Sequence, residues 1–157
     1  MSRVVVNEIE AKVGNDITFN DTVKIDTIKG KTTAGSVTVQ GEGTATTNLQ
    51  QGLAKCWVEI NPTSLSGTGT TGVGDSFNLT SITDNGTGDH TVNINNDMST
   101  IEYSTPTAAN SAYTSASYGL YSGCYNHDAG SFRLHSRRQN APVDSNFFAC
   151  TVHGDLA

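Results

Sequence analysis

The sequence predicts an all-β protein, and two observations support this prediction. The segment 84–89, Asp-Asn-Gly-Thr-Gly-Asp, is typical of a tight hairpin, because Asn-Gly adopts positive φ angles at little energetic cost. In the runs on either side of it, apolar and small polar side chains alternate. This period of two is that of a β-strand, and it places four apolar side chains on buried faces: Phe77, Leu79, Val92 and Ile94.

The composition limits how much core one chain can build. The 157 residues fit one domain, or a small domain with an appendage. Only 35% of them are hydrophobic, and roughly two in five are Ser, Thr, Asn or Gly, which suit turns and solvated sheet faces. Because the alternating runs argue against disorder, burial of apolar surface between identical chains is the outcome that we favour.

The charge and the N-terminal sequence exclude some classes of partner. A formal net charge of −6 repels a phosphate backbone, so a nucleic-acid partner is not expected. The apolar run 4–6 is too short for a signal peptide, and no stretch approaches the length of a membrane span. We therefore expect a soluble protein that is synthesised in the cytoplasm and is not inserted into a membrane.

No cofactor, metal site or catalytic constellation is predicted. The three cysteines, Cys56, Cys124 and Cys150, lie among apolar neighbours and are expected to be buried free thiols. Cys-x-x-Cys and His-x-x-x-His spacings are absent, which argues against structural zinc. The hairpin acids lack the ordered spacing of a calcium loop, and neither a nucleophile elbow nor paired carboxylates accompany His127. We therefore do not expect an enzyme.

Residues 1–53 are expected to form an N-terminal β arm. Short alternating pieces with one apolar face are separated here by Gly, Asn and Asp, and one helical turn is expected at 48–53. Three copies around a common axis can cover apolar faces that one copy leaves exposed, so we interpret the arm as trimerising and anchoring. An ordinary sheet layer packed on the same chain is the alternative. The candidate trimer-interface residues are Val6, Ile9, Ile17, Phe19, Val23, Ile25 and Ile28.

Residues 54–157 are expected to form a C-terminal head, an antiparallel, jelly-roll-like β-sandwich. Short strands with small polar turns between them indicate this architecture, and Trp57 is expected in its core. The long loops 61–74, 104–117 and 139–146 are where we expect binding. The predicted strands are 55–60, 76–82, 90–95, 100–103, 118–125, 131–137 and 147–153.

Four segments of the chain resemble the tail-fibre-like virion proteins of marine bacteriophages, notably those that infect cyanobacteria. The segments are Gln50-Gln-Gly-Leu-Ala-Lys55-Cys-Trp57, Asp75-Ser-Phe-Asn78, Ser81-Ile-Thr-Asp-Asn85-Gly-Thr-Gly-Asp-His90-Thr-Val-Asn93 and Val152-His-Gly-Asp155. In that family a Gly-Leu-Ala-Lys-x-Trp opening and a similar hairpin recur in a compact C-terminal β domain. His90 stands where the family usually has Tyr.

The resemblance implies a structural protein of a virion, a homotrimer displayed on the particle surface and bound to other proteins of the tail or capsid. The expected function is that of a surface fibre or spike component that attaches to the host surface. A capsid decoration protein, such as a head fibre or cement protein that stabilises the shell, is the first alternative. A polysaccharide-degrading tailspike fragment and a free-living lectin are alternatives from other classes.

Exposed aromatic and basic side chains are the candidates for contact with a host-surface glycan. Positions 118 and 121 differ by an odd number of residues, so at least one of these tyrosines faces outward if both lie on one strand. An exposed Tyr ring can stack on a sugar, and Arg or His can bind its oxygens. The candidate residues are Tyr113, Tyr118, Tyr121, His127, Arg137 and Arg138.

Overall fold

A computed structural model of the protein describes residues 22–29, 37–40, 44, 46–110 and 120–157. Within them the chain is all-β, with antiparallel sheets. A single helical turn, α1 (Leu49–Gly52), confirms the turn expected at 48–53, and a 3-10 turn spans Pro62–Ser64. The strands are β1 (Thr38–Gln40), β2 (Thr46–Asn48), β3 (Cys56–Ile60), β4 (Thr68–Gly69), β5 (Val73–Phe77), β6 (Leu79–Asp84), β7 (Asp89–Ile94), β8 (Thr107–Asn110), β9 (Leu120–Asp128), β10 (Ser131–Arg138), β11 (Ala141–Pro142) and β12 (Phe147–Val152).

The strands form two facing sheets and one small hairpin. The larger sheet has six strands. Five of them lie in the order β11-β10-β7-β6-β4, and the sixth, β9, pairs with β10 along the edge opposite β7. The smaller sheet has four strands in the order β5-β3-β12-β8. β1 and β2 pair only with each other among the described residues. No helix in the described part of the chain is long and apolar enough to cross a membrane.

The core lies between the two sheets and follows from the alternation of side chains. β3 and β12 contribute inward residues from the smaller sheet, and β6, β7 and β10 contribute them from the larger one. Val92 and Ile94 are buried as predicted, and Leu79 packs against the same cluster. The core residues are Cys56, Val58, Ile60, Ile82, Val92, Ile94, Met98, Tyr103, Phe132, Leu134, Phe148, Cys150 and Val152.

The prediction of one strand at 76–82 is wrong, because the chain turns a corner at Asn78. This residue has a φ of 57°, which ends β5 in the smaller sheet and starts β6 in the larger one. The side chain of Asn78 holds the corner: its amide nitrogen donates to the carbonyl oxygens of Lys55 (2.8 Å) and Asn96 (3.0 Å). Asn tolerates the left-handed region better than other residues that carry a side chain.

The corner reverses the face on which Phe77 lies. Phe77 is 53% exposed, so its predicted burial is wrong. It lies on the outer face of the smaller sheet, directly across from Trp57 in the strand register. Trp57 is half-buried and lies outside the core cluster, because the inward positions of β3 belong to Cys56, Val58 and Ile60.

The strand predicted at 100–103 is absent, and β8 lies further along, inside the predicted loop 104–117. The Thr100 hydroxyl accepts a hydrogen bond from the amide of Glu102 (3.2 Å), a local turn that competes with strand pairing. The other predicted strands correspond to β3, β7, β9, β10 and β12 with small shifts at their ends. The predicted hairpin is confirmed between β6 and β7.

The described residues of the N-terminal segment that was expected to form an arm expose their apolar side chains. Residues 22–29 contain no strand, so the predicted alternating piece at 23–25 is not a strand within the described chain. Val23, Ile25 and Ile28 are 45%, 58% and 62% exposed. The other predicted interface residues lie outside the described residues: Val6, Ile9, Ile17 and Phe19.

We predict that Gly88→Ala destabilises the protein, because only glycine fits the end of the hairpin loop. Gly88 has a φ of +67°, and a Cβ there would lie 2.4 Å from the carbonyl oxygen of Ser136. We expect a loss of about 1–3 kcal/mol in the free energy of unfolding, measured by urea titration followed by Trp57 fluorescence. Gly69→Ala is the matched control, since no atom lies within 4 Å of its added Cβ. Equal stabilities of the two variants would contradict this account of the loop.

Candidate functional site

The outer face of the larger sheet carries polar, aromatic and basic side chains from β9, β10 and β7. The register places Arg133 beside Tyr125 on β9, and His135 beside Asp89 on β7. Because alternate residues of a strand point to opposite faces, Arg133, His135 and Arg137 share the outer face of β10. Strand pairing therefore gathers side chains that are far apart in the sequence.

A groove of about 440 Å³ opens on this face. Residues from the β6–β7 hairpin loop, from β9 and β10, and from β11 line it. We call it the sheet-face groove and define it by its lining residues: Thr87, Gly88, Asp89, Tyr125, His135, Arg137 and Pro142.

Asp89 organises the base of the sheet-face groove. Its carboxylate accepts hydrogen bonds from two nitrogens of Arg133, with Nε 3.0 Å from Oδ1, and from the Tyr125 hydroxyl at 2.9 Å. The Arg133 guanidinium also lies 5.3 Å from the centre of the Tyr125 ring. A two-pronged Arg–carboxylate pair fixes geometry as well as charge. The negative charge of Asp89 is thus paired inside the protein, and the Tyr125 ring is held in place.

Desolvation raises the pKa of Tyr125, and its hydrogen bond to Asp89 adds to this effect. The phenol therefore remains protonated at neutral pH and acts as a donor to Asp89.

His135 forms a second wall of the groove, and Gly123 makes room for it. A Cβ at position 123 would lie 2.9 Å from Cε1 of the His135 ring. The imidazole packs edge-to-face against Tyr125, with 5.4 Å between ring centres and 61° between ring planes. Glycine at 123 therefore leaves the space that His135 occupies.

Arg137 supplies a positive charge at the mouth of the groove. Its side chain is exposed, and among the described residues no carboxylate forms a salt bridge with it. Tyr121, which is 64% exposed, is its neighbour across the strand pair. Arg138 is half-buried and lines a separate hollow of about 400 Å³ beside Pro142.

The groove combines the exposed guanidinium of Arg137, which forms no salt bridge with a described carboxylate, with the rings of Tyr125 and His135. This combination fits a small polar ligand that carries hydroxyl groups and a negative charge. Within the described ranges, no three His, Cys, Asp or Glu side chains are grouped so that they could hold a metal ion.

His90 lies buried behind the groove between two carboxylates. It is 1% exposed, its Nδ1 lies 3.8 Å from Asp84 and its Nε2 lies 3.7 Å from Asp144. Neither ring nitrogen has a hydrogen-bond partner. Each carboxylate instead accepts from a loop amide, Asp84 from Gly86 (2.9 Å) and Asp144 from Gly88 (2.7 Å). Burial lowers the pKa of His90, although the nearby carboxylates oppose this.

The structure brings together two of the predicted binding residues, Tyr121 and Arg137, whereas Arg138 lines the separate hollow. His127 lines neither the groove nor the hollow, and the expectation that it is an exposed binding residue is wrong. Its ring is half-buried, packs 4.7 Å from the centre of the Tyr103 ring, and shares a 3.1 Å hydrogen bond with Thr105. Tyr113 and Tyr118 lie outside the described residues.

Sequence reasoning missed most of the groove. It placed binding in long loops, whereas the sheet-face groove uses a strand face. Asp89 was interpreted only as a hairpin residue, and Gly123 was not singled out. One feature of the sequence could have indicated the groove. Arg133, His135 and Arg137 alternate along the predicted strand, so three basic or aromatic side chains share its outward face.

Comparison of the chain with known protein families, with curated proteins and with solved structures found no match. The structure defines an antiparallel, two-sheet protein with a groove on the outer face of the larger sheet.

We predict that acid destabilises the fold through His90. The folded state holds the pKa of His90 below the unfolded value of about 6.5, so below that pH the unfolded chain binds the proton more readily. Stability should fall as the pH drops from about 6.5 and level off below the folded pKa, with a slope of at most about 1.4 kcal/mol per pH unit from this residue. Urea midpoints between pH 7.5 and 5 measure it.

His90→Gln should remove this part of the pH dependence, because the amide does not titrate. His153→Gln is the matched control, a half-buried histidine outside the carboxylate pair, and should keep the wild-type slope. A His90→Gln protein with the wild-type slope would show that another group carries the pH dependence.

Proposed function

We propose that this protein is a structural component of a bacteriophage virion surface, a homotrimeric fibre or spike protein. In this proposal the N-terminal arm assembles the trimer and anchors it to the particle. The two-sheet head points outward and contacts a host-surface saccharide through the sheet-face groove.

The segments that resemble marine phage virion proteins contact one another in the head. The amide of Lys55 donates to the carbonyl oxygen of Val152 (2.7 Å), and the side chain of Asn78 donates to the carbonyl oxygen of Lys55 (2.8 Å). Three of the four segments that carry the resemblance are therefore joined by hydrogen bonds in the folded chain.

The observation that carries the proposal is the exposed apolar row Val23, Ile25 and Ile28. These side chains lie on a stretch, 22–29, that forms no strand in the described chain. Val39 on β1 is also 51% exposed. Water disfavours such surface by about 25 cal/mol per Å². Pairing with further copies of the chain would cover it, and the resemblance implies that the number of copies is three.

The sheet-face groove supports the attachment role. Saccharides present hydroxyl groups and C–H faces, which suit the guanidinium of Arg137 and the aromatic rings of Tyr125 and His135. The uncompensated charge of Arg137 favours an acidic sugar that carries a carboxylate or sulfate group. Three copies on one trimer would strengthen a weak contact at each site through multivalency.

The proposed location is tested on purified phage particles from a host that carries the coding sequence. We expect an antibody against the head to label the tail of intact particles in electron micrographs. Labelling spread over the head shell would favour the capsid decoration alternative, in which the arm grips shell subunits. Particles that lack the chain by mass spectrometry would contradict the virion proposal.

The groove is tested with Arg137→Ala in a binding assay against carboxylated and sulfated oligosaccharides. Loss of a charge-assisted hydrogen bond should weaken binding by about tenfold or more, measured by calorimetry. Glu102→Ala removes an exposed charge of the head outside the groove and should leave the affinity unchanged.

Gly123→Ala adds a shape test, because the new methyl group must displace the His135 ring from the groove wall. Equal affinities of Arg137→Ala, Gly123→Ala and the wild type for every acidic saccharide that binds would contradict the groove as the site.

A further inference from the structure

We propose that Cys124 and Cys150 are a site of oxidation and form a disulfide bond between the two sheets when the protein meets a peroxide. The two Sγ atoms lie 3.9 Å apart, and both residues are free thiols in the structure. A disulfide needs about 2.05 Å between the sulfurs, so closure requires an approach of about 1.9 Å. This inference does not depend on the virion proposal.

The pair spans the sandwich. Cys124 lies on β9 at the edge of the larger sheet, and Cys150 lies on β12 in the smaller sheet. Small polar contacts link the sheets on this side, for example the 3.1 Å hydrogen bond between Thr107 on β8 and Ser122 on β9. A covalent bond here would fix an edge strand that polar contacts otherwise hold to the facing sheet.

The surroundings distinguish the two thiols and assign each a role. Cys124 is half-buried, whereas Cys150 is buried. The hydrogen bond from the Cys150 thiol lowers the pKa of Cys124, burial opposes this, and Thr105 adds to the lowering. The same contact and burial raise the pKa of Cys150. Because the thiolate is the reactive form, Cys124 is the nucleophile and Cys150 the resolving thiol.

Hydrogen peroxide is the oxidant in this reaction. The Cys124 thiolate attacks one peroxide oxygen, the O–O bond breaks, and hydroxide leaves, which produces a sulfenic acid on Cys124. The Cys150 sulfur then attacks the Cys124 sulfur. Its thiol proton and the sulfenic hydroxyl leave together as water. Two thiols and one peroxide become one disulfide and two waters, and the protein loses two electrons.

Cys56 provides the matched internal comparison. It is fully buried, and burial raises its pKa to about 11, so it stays a protonated thiol at neutral pH. Of the three cysteines, we therefore expect two to react and one to remain.

The test treats the reduced full-length protein with hydrogen peroxide and then counts its thiols after denaturation. The expected count falls from three to one, the chain mass falls by two hydrogen atoms, and a non-reduced peptide map links Cys124 to Cys150. The thermal midpoint should rise by about 5–10 °C and return to its reduced value with dithiothreitol.

Cys124→Ser should abolish the shift in the thermal midpoint, and Cys56→Ala should retain it. The peptide map is made on the wild-type protein, so it still tests the proposal if one of the variants fails to fold. Three thiols after treatment, a sulfinic acid on Cys124 with a free Cys150, or disulfides only between chains would each overturn the proposal.

Discussion

A thin apolar layer between two antiparallel sheets is the constraint on which the rest of the protein depends. With few apolar residues available, nearly every inward position of β3, β7, β10 and β12 is used for this layer. Strict alternation then determines the outer faces as well. The residues next to each buried side chain point to solvent, and the outer face of β10 becomes a row of basic and aromatic side chains as a direct consequence.

The loops around the groove are held by glycine and by buried polar contacts rather than by apolar packing. Gly88 donates to Asp144, and Ser136 donates through its hydroxyl to the carbonyl oxygen of Val143 (2.6 Å). His90 lies behind these contacts with both ring nitrogens lacking hydrogen bonds. The contacts that shape the groove loops and the buried His90 therefore belong to the same cluster.

The sequence predicted the fold class and most of the strands, because alternation and turn residues are local signals. The strand pattern of β3, β7, β10 and β12 was readable in this way. The corner at Asn78 was not, because an alternating run looks the same whether it continues in one sheet or crosses to another. β8 was missed because Thr-Ala-Ala-Asn has no large apolar residue. The groove depends on the register of β9, β10 and β7, so of its lining residues only Arg137 was among the predicted binding residues, together with its neighbour Tyr121.

In the proposed function, other copies of the chain cover the exposed side chains of Val23, Ile25 and Ile28. Light scattering of the purified protein during size-exclusion chromatography tests this most directly. We expect about three times the 16.5 kDa mass of one chain for the wild type, and a single-chain mass for a protein with Val23, Ile25 and Ile28 all changed to Asp. Ile101→Asp, at an exposed apolar position of the head, should remain trimeric. A folded wild-type monomer would contradict the account.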